Sequence, residues 1–145
     1  MTTKPTFGQE HSAPPKLRLA LEAMSRSVEK SKNSILFRRG DKAVGVFLVR
    51  KGKVRLSLDG TSVASRTLGP GSVLGLPATL NQRPYSLTAT IAEDCQLDFV
   101  DQEAVLRLLR EDTFVCFQAL QILGSEISDM RRVMDELFHS KPQVA

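Results

Sequence analysis

Between Ser34 and Val100 the chain is a succession of short β-prone runs, each closed by glycine, aspartate or both. The runs are Ser34–Arg38, Val44–Arg50, Lys53–Leu58, Ser62–Leu68, Ser86–Ile91 and Cys95–Val100. Their breakers are Arg39-Gly40-Asp41, Lys51-Gly52-Lys53, Asp59-Gly60 and Gly69-Pro70-Gly71. Asp59-Gly60 between two strand-like runs is a tight-hairpin signal, because the turn needs positive φ at its centre. Arg39-Gly40-Asp41 reads as a plain turn. Many short strands at this spacing restrict the fold to an antiparallel sandwich or jelly roll.

Helical periodicity appears only outside this region. Lys16 to Lys30 places Leu17, Leu21, Met24 and Val28 on one face, with Ala20 beside them, and predicts an amphipathic helix. Asp101 offers an N-cap to a short helix carrying Val105, Leu108 and Leu109. A longer helix is predicted from about 113 to 138. Its apolar positions step by four and three through Cys116, Leu120, Leu123, Ile127, Met130, Met134 and Leu137. Such a seam, sustained for about three heptads, suits a partner helix, and a dimer through its distal half is expected. Phe114, Phe117, Ile122 and Val133 lie off the seam and are free to serve the roll. Residues 1–15, with three prolines, are expected to be a disordered arm, 16–138 the folded domain and 139–145 a tail.

At 145 residues, 41% apolar and 25% charged, the chain suits one globular domain. No apolar run reaches the ~20 residues of a membrane-spanning helix. The first residues lack the apolar core of a signal peptide, so a cytoplasmic location is expected. A net charge of +4 permits an acidic partner without requiring one. Cys95 and Cys116 are too few for a disulfide framework or a four-cysteine metal site and read as small core residues. The two histidines, His11 and His139, fall outside the strands, so no metal cluster of a jelly-roll enzyme can be assembled there. No Gly-Lys-Ser/Thr follows the glycines, and no Ser/His/Asp set stands out. Gly69, Gly71 and Gly75 also have the wrong last spacing for a dinucleotide fingerprint. The chain is therefore read as non-enzymatic, with no cofactor and no metal.

The stretch from Gly69 to Thr90 carries the remaining signal: three glycines, a short predicted helix at Pro77–Leu80, then a β run from Tyr85 to Ile91. Glycines that lead into a helix start form a potential phosphate cradle. Taken with Phe37-Arg38-Arg39-Gly40-Asp41, Phe47 to Val54 and Leu68 to Gly75, the order of elements resembles the sensor domain of the CRP/FNR family. That resemblance covers about residues 17–138. It implies a cyclic-nucleotide-binding jelly roll (a double-stranded β-helix) with flanking helices and a long C-terminal dimerisation helix.

The resemblance also implies a phosphate-binding cassette of the form Gly-Glu-Leu, then Arg-Ser/Thr-Ala after a loop. Here Gly75 is followed by Leu76, and Tyr85-Ser86-Leu87 stands in place of Arg-Ser-Ala. The carboxylate for a ribose hydroxyl and the guanidinium for the phosphate are both displaced. Arg83, two residues before Tyr85, shares a strand face with it and offers a substitute, although Pro84 pushes Arg83 towards a loop conformation. Gly75, Leu76, Arg83, Tyr85 and Ser86 are thus the candidate ligand residues. Each charge-assisted hydrogen bond contributes ~1.5–3 kcal/mol, so losing both partners removes roughly two to four powers of ten in affinity.

Two expectations follow. One is a regulatory effector and dimerisation domain with a non-standard cassette, taking a small anionic ligand and binding cyclic AMP weakly or not at all. The other is a ligand-free scaffold, in which Leu76 or Tyr85 fills the ligand's space and the domain acts by pairing. No recognition helix of a helix-turn-helix can be assigned, so direct DNA binding by these residues is not expected.

Overall fold

The computed structural model describes residues 12–58 and 65–125. In chain order these form α1 (Pro15–Met24), β1 (Arg26–Lys30), β2 (Ile35–Phe37), β3 (Gly45–Ser57), β4 (Arg66–Leu68), β5 (Val73–Leu74), α2 (Leu76–Asn81), β6 (Thr88–Asp101) and α3 (Gln102–Glu111). A further helical run, α4, covers 113–125. The sheet runs β1-β6-β3-β4, with β2 on β6 and β5 on β3, and every pairing is antiparallel. The expected mainly β jelly roll with flanking helices is what the chain forms.

Four of the expected runs merge into two long strands. Lys51-Gly52-Lys53 does not end β3; it bulges it, shifting the register against β6 between Val49 and Val54. Gly52 takes φ +92, and a Cβ there would run into the carbonyl oxygen of Asp94. Only glycine lets the strand bend at this point and keep its partner.

The two faces of the bent pair line two cores. Phe47, Val49, Val54 and Leu56 turn inward with Phe37, Leu68, Leu74, Tyr85, Ile91 and Leu97. Val46, Leu48 and Val100 face the other way, against Leu17, Leu21, Leu76, Val105, Val115, Ala119 and Ile122. Burial on both faces explains why Val46 to Val49 reads as an unbroken apolar run instead of an alternating one.

The helix expected over Lys16–Lys30 is shorter than its periodicity suggested. It ends at Met24, Ser25 is extended, and Arg26–Lys30 pairs with Cys95–Phe99 as β1. Val28 fits the helical period, yet the open edge of β6 offers five residues of ladder. Tertiary pairing overrides the local preference, and the Ser25 hydroxyl donates to the Glu22 carbonyl at the helix end.

Residues 12–15, assigned above to the arm, are ordered. Ser12 bridges Ser72, the Ala13 amide donates to the Gly71 carbonyl at 2.7 Å, and Pro15 opens α1. The Asp101 cap is present, its carboxylate accepting from the Ala104 amide at 2.8 Å.

On α4, Val115, Ala119 and Ile122 pack onto the roll, and the buried Gln118 side chain accepts from the Leu17 amide at 2.8 Å. Ile122 serves the roll as expected. Phe114 and Phe117 do not, being 48% and 60% exposed, because the face turned inward is set by the 115/119/122 row. Of the proposed seam, Leu120 is 56% exposed, Cys116 is half-buried and Leu123 packs against the helical-side core. Ile127, Met130, Val133, Met134 and Leu137 lie outside the described residues, as do Asp59-Gly60, the first eleven positions and the tail.

Candidate functional site

The candidate cassette begins where β5 gives way to α2. Gly75 sits at the helix N-cap with φ +83, a left-handed conformation that a residue with a side chain adopts only under strain. The six-residue α2 opens Leu76-Pro77, and Pro77 has no amide proton, so one of the first-turn donors is missing.

Tyr85 occupies the space beside Gly75. Its side chain is 3% exposed, and a Cβ placed on Gly75 would lie 2.9 Å from the tyrosine ring. The ring stacks on Phe37 with centroids 3.9 Å apart, and Phe37 stacks in turn on Phe47. The phenol oxygen accepts from the amides of Val44 (3.1 Å) and Gly45 (3.4 Å) and donates to the Gly45 carbonyl at 2.9 Å. One donor and two lone pairs are all that a tyrosine hydroxyl has, and each has a partner.

The backbone holds this side chain from both directions. The Tyr85 amide donates to the Asp41 carbonyl at 2.9 Å, and its own carbonyl accepts from the Gly40 amide at 2.8 Å. The Arg39-Gly40-Asp41 turn therefore has a structural task, clamping residue 85 over the roll. The preceding loop is tied to α2 by the Arg83 amide, which donates to the Ala78 carbonyl at 3.0 Å.

The five candidate residues do not converge. Gly75 and Tyr85 meet. Leu76 is buried but belongs to the core on the helical side of the sheet, not to the interior of the roll. Arg83 and Ser86 are exposed. Arg83 lines a separate depression of about 400 Å3 with Gly40, Lys42, Gln82, Pro84 and Gln102. The expected β run from Tyr85 begins only at Thr88, so Arg83 and Tyr85 both precede β6 and no shared strand face brings them together.

Reading the residues alone left out Val44 and Gly45 as partners of Tyr85. No residue type marks them, because they contribute only main-chain groups from forty residues away. Among the described residues no cluster of three or more histidine, cysteine or acidic side chains is placed to hold a metal, and no helix is long and apolar enough to cross a membrane.

With this geometry in hand, the relatives are informative. Residues 27–112 match the model of the cyclic nucleotide-binding domain. The chain is 36% identical over 84 residues to the cAMP-dependent protein kinase regulatory subunit of Eremothecium gossypii, covering 58% of this chain and 18% of that protein. It is 30% identical over 128 residues to the cyclic AMP receptor protein of Thermus thermophilus, covering 86% of this chain and 59% of that one. The crystal structure of the Thermus thermophilus catabolite activator protein superposes with a TM-score of 0.69 at 28% identity, covering 86% of this chain and 60% of that one. The chain thus spans under a fifth of one curated relative and under two thirds of the other.

Proposed function

Since this chain belongs to the cyclic nucleotide-binding domain family, we propose that it is a non-enzymatic regulatory module of CRP/FNR type whose phosphate seat is closed by its own tyrosine. The observation that carries this reading is the Tyr85 side chain, packed beside Gly75 with its hydroxyl bonded to Val44 and Gly45. In the cassette that the family resemblance implies, this position supplies an arginine to the phosphate. Here it supplies an aromatic ring and a hydroxyl with no bonding capacity to spare.

An incoming cyclic phosphodiester would have to displace that ring from its stack on Phe37 and break three hydrogen bonds. It would recover neither the guanidinium nor the carboxylate. The second reading, a ligand-free scaffold acting through pairing in the cytoplasm, draws on the same observation. The exposed row Phe114, Phe117 and Leu120 on α4 supports it, offering an apolar stripe to a second copy.

Calorimetric titration with cyclic AMP and cyclic GMP, on the wild type and on Arg83→Ala, tests the closed seat. No binding heat up to millimolar nucleotide is expected from either protein. Micromolar binding by the wild type would overturn the reading. Its loss in Arg83→Ala would further show that Arg83 swings inward to replace the missing guanidinium.

A further inference from the structure

A second polar concavity lies on the outer face of the roll, away from the cassette. Cross-strand register assembles it. Thr90 of β6 stands opposite Ile35 of β2 on one side and Arg55 of β3 on the other, and Arg55 stands opposite Thr67 of β4. Residues opposite one another share a face, and Thr88, two positions before Thr90, shares it too. The alternate residues Ala89, Ile91 and Leu56 take the inner face and join the core.

Arg38 and Arg39 leave β2 directly beside this surface. The resulting depression holds about 560 Å3, with Asn33, Arg38, Arg39, Thr88 and Thr90 as its polar wall and Ile35 and Leu58 as its apolar wall. Among the described residues no carboxylate lines it. The Arg39 amide donates to the Thr88 hydroxyl at 3.0 Å, which pins that residue to β6. Asp41, the nearest acid in sequence, is engaged with the Arg38 amide at 3.0 Å. Among the described residues neither the Arg38 nor the Arg39 guanidinium has an ion-pair partner.

Arg55, opposite Thr90 in the ladder, adds positive charge beside the depression without lining it. Arg55 Nε is buried and has no hydrogen-bond acceptor. A buried guanidinium nitrogen without an acceptor is rare enough in folded proteins to require a reason. Two arginines around two hydroxyls, with no acid among the described residues of the wall, is the donor set that phosphoryl oxygens use, arginine giving paired N–H groups and threonine a single O–H.

We propose that this outer face is a binding site for a small organic phosphate, its phosphoryl group held by Arg38 and Arg39 with Thr88 and Thr90. The body of the ligand lies against Ile35 and Leu58. The site is independent of the closed cassette and does not rest on the reading of Tyr85.

Phenyl phosphate, which joins one phosphoryl group to one apolar ring, is the probe. It is titrated by calorimetry and by amide chemical shifts at low salt, beside inorganic phosphate and a short single-stranded oligonucleotide. The expected result is saturable binding of phenyl phosphate, tighter than inorganic phosphate, with shifts centred on residues 35–39 and 88–90. Arg39→Gln should weaken it by about tenfold or more, the loss of one charge-assisted hydrogen bond, and Arg38→Gln likewise. Arg83→Gln, on the other depression, should leave it unchanged. Both arginines are exposed, so the variants should keep the wild-type circular dichroism.

Equal affinity in the Arg38→Gln/Arg39→Gln double variant would overturn the proposal. So would weakening by Arg83→Gln alone, or preference for the oligonucleotide over phenyl phosphate. A cyclic nucleotide that binds while phenyl phosphate does not would refute this site and reopen the cassette, so the two readings fail separately.

Discussion

In the function proposed above, Tyr85 is the side chain that turns a ligand seat into core. Its ring fills the space beside Gly75, and its hydroxyl satisfies main-chain groups of Val44 and Gly45 that would otherwise be orphaned. Tyr85→Phe keeps the ring and strips the hydroxyl, leaving a buried acceptor and two donors short of a partner. The expected loss is about 1–3 kcal/mol, read as a lower urea midpoint at unchanged slope. A midpoint equal to wild type would mean that water replaces the phenol. That position 85 departs from arginine is legible in the sequence. Where the phenol lands is not, because Gly45 is forty positions away and carries no side chain to announce the contact. Cys95 is a residue-scale case of another kind. Burial is the largest influence on its thiol and pushes its pKa up, with a hydrogen bond to the Lys53 backbone opposing the shift and the acids Asp94 and Glu93 adding to it. The folded thiol therefore holds its proton to higher pH than the unfolded one, whose value is about 8.5. Its contribution to stability is whole below that value and is lost as pH rises through the folded pKa. Melting temperature should fall between pH 8 and 10 in the wild type and fall less steeply in Cys95→Ala; parallel slopes would refute this.

At the scale of elements, the strands were readable wherever both the pattern and the breakers agreed with the partner. β3 and β6 were anticipated as two runs each, β3 because Lys51-Gly52-Lys53 looks like a turn. Pairing decides otherwise: the strand bulges there, and the ladder resumes beyond it. α1 was overextended for the converse reason, since nothing local distinguishes Arg26–Lys30 from a helical turn until the edge of β6 is known. Helix caps are local and were legible. Asp101 ends β6 and starts α3 within one residue, its carboxylate taking up the Ala104 amide. Asp101→Ala should destabilise the domain by about 0.5–2 kcal/mol, whereas Asp101→Ser, which restores an acceptor, should recover most of that in the same denaturation assay. Equal losses for both variants would assign the effect to the strand end instead of the cap.

For the whole molecule, the decisive arrangement is one bent sheet with a core on each face. The inner core holds Tyr85 and closes the roll; the outer core seats α1, α3 and α4. That arrangement fixes which side of α4 remains free. Val115, Ala119 and Ile122 are consumed by the roll, which leaves Phe114, Phe117 and Leu120 one turn apart on the exposed side, with Lys16 poised over the Phe114 ring at 4.8 Å. The seam expected from periodicity runs from Cys116, Leu120 and Leu123 on through Ile127, Met130, Met134 and Leu137, the last four outside the described residues, and a heptad pattern cannot say which of two apolar faces its own domain will use. Phe117 and Leu120 are then the residues by which a second copy would pack, helix against helix. Light scattering should give twice the 16.0 kDa chain mass for the wild type. Phe117→Lys with Leu120→Lys should give the monomer mass at unchanged circular dichroism, because two ammonium groups cannot be desolvated in such a seam. Cys116→Lys should lower the melting temperature before it alters the mass, since that side chain is half-buried against its own domain. A double variant that stays dimeric would place the contact elsewhere and return the exposed phenylalanines to the list of surfaces awaiting a different partner.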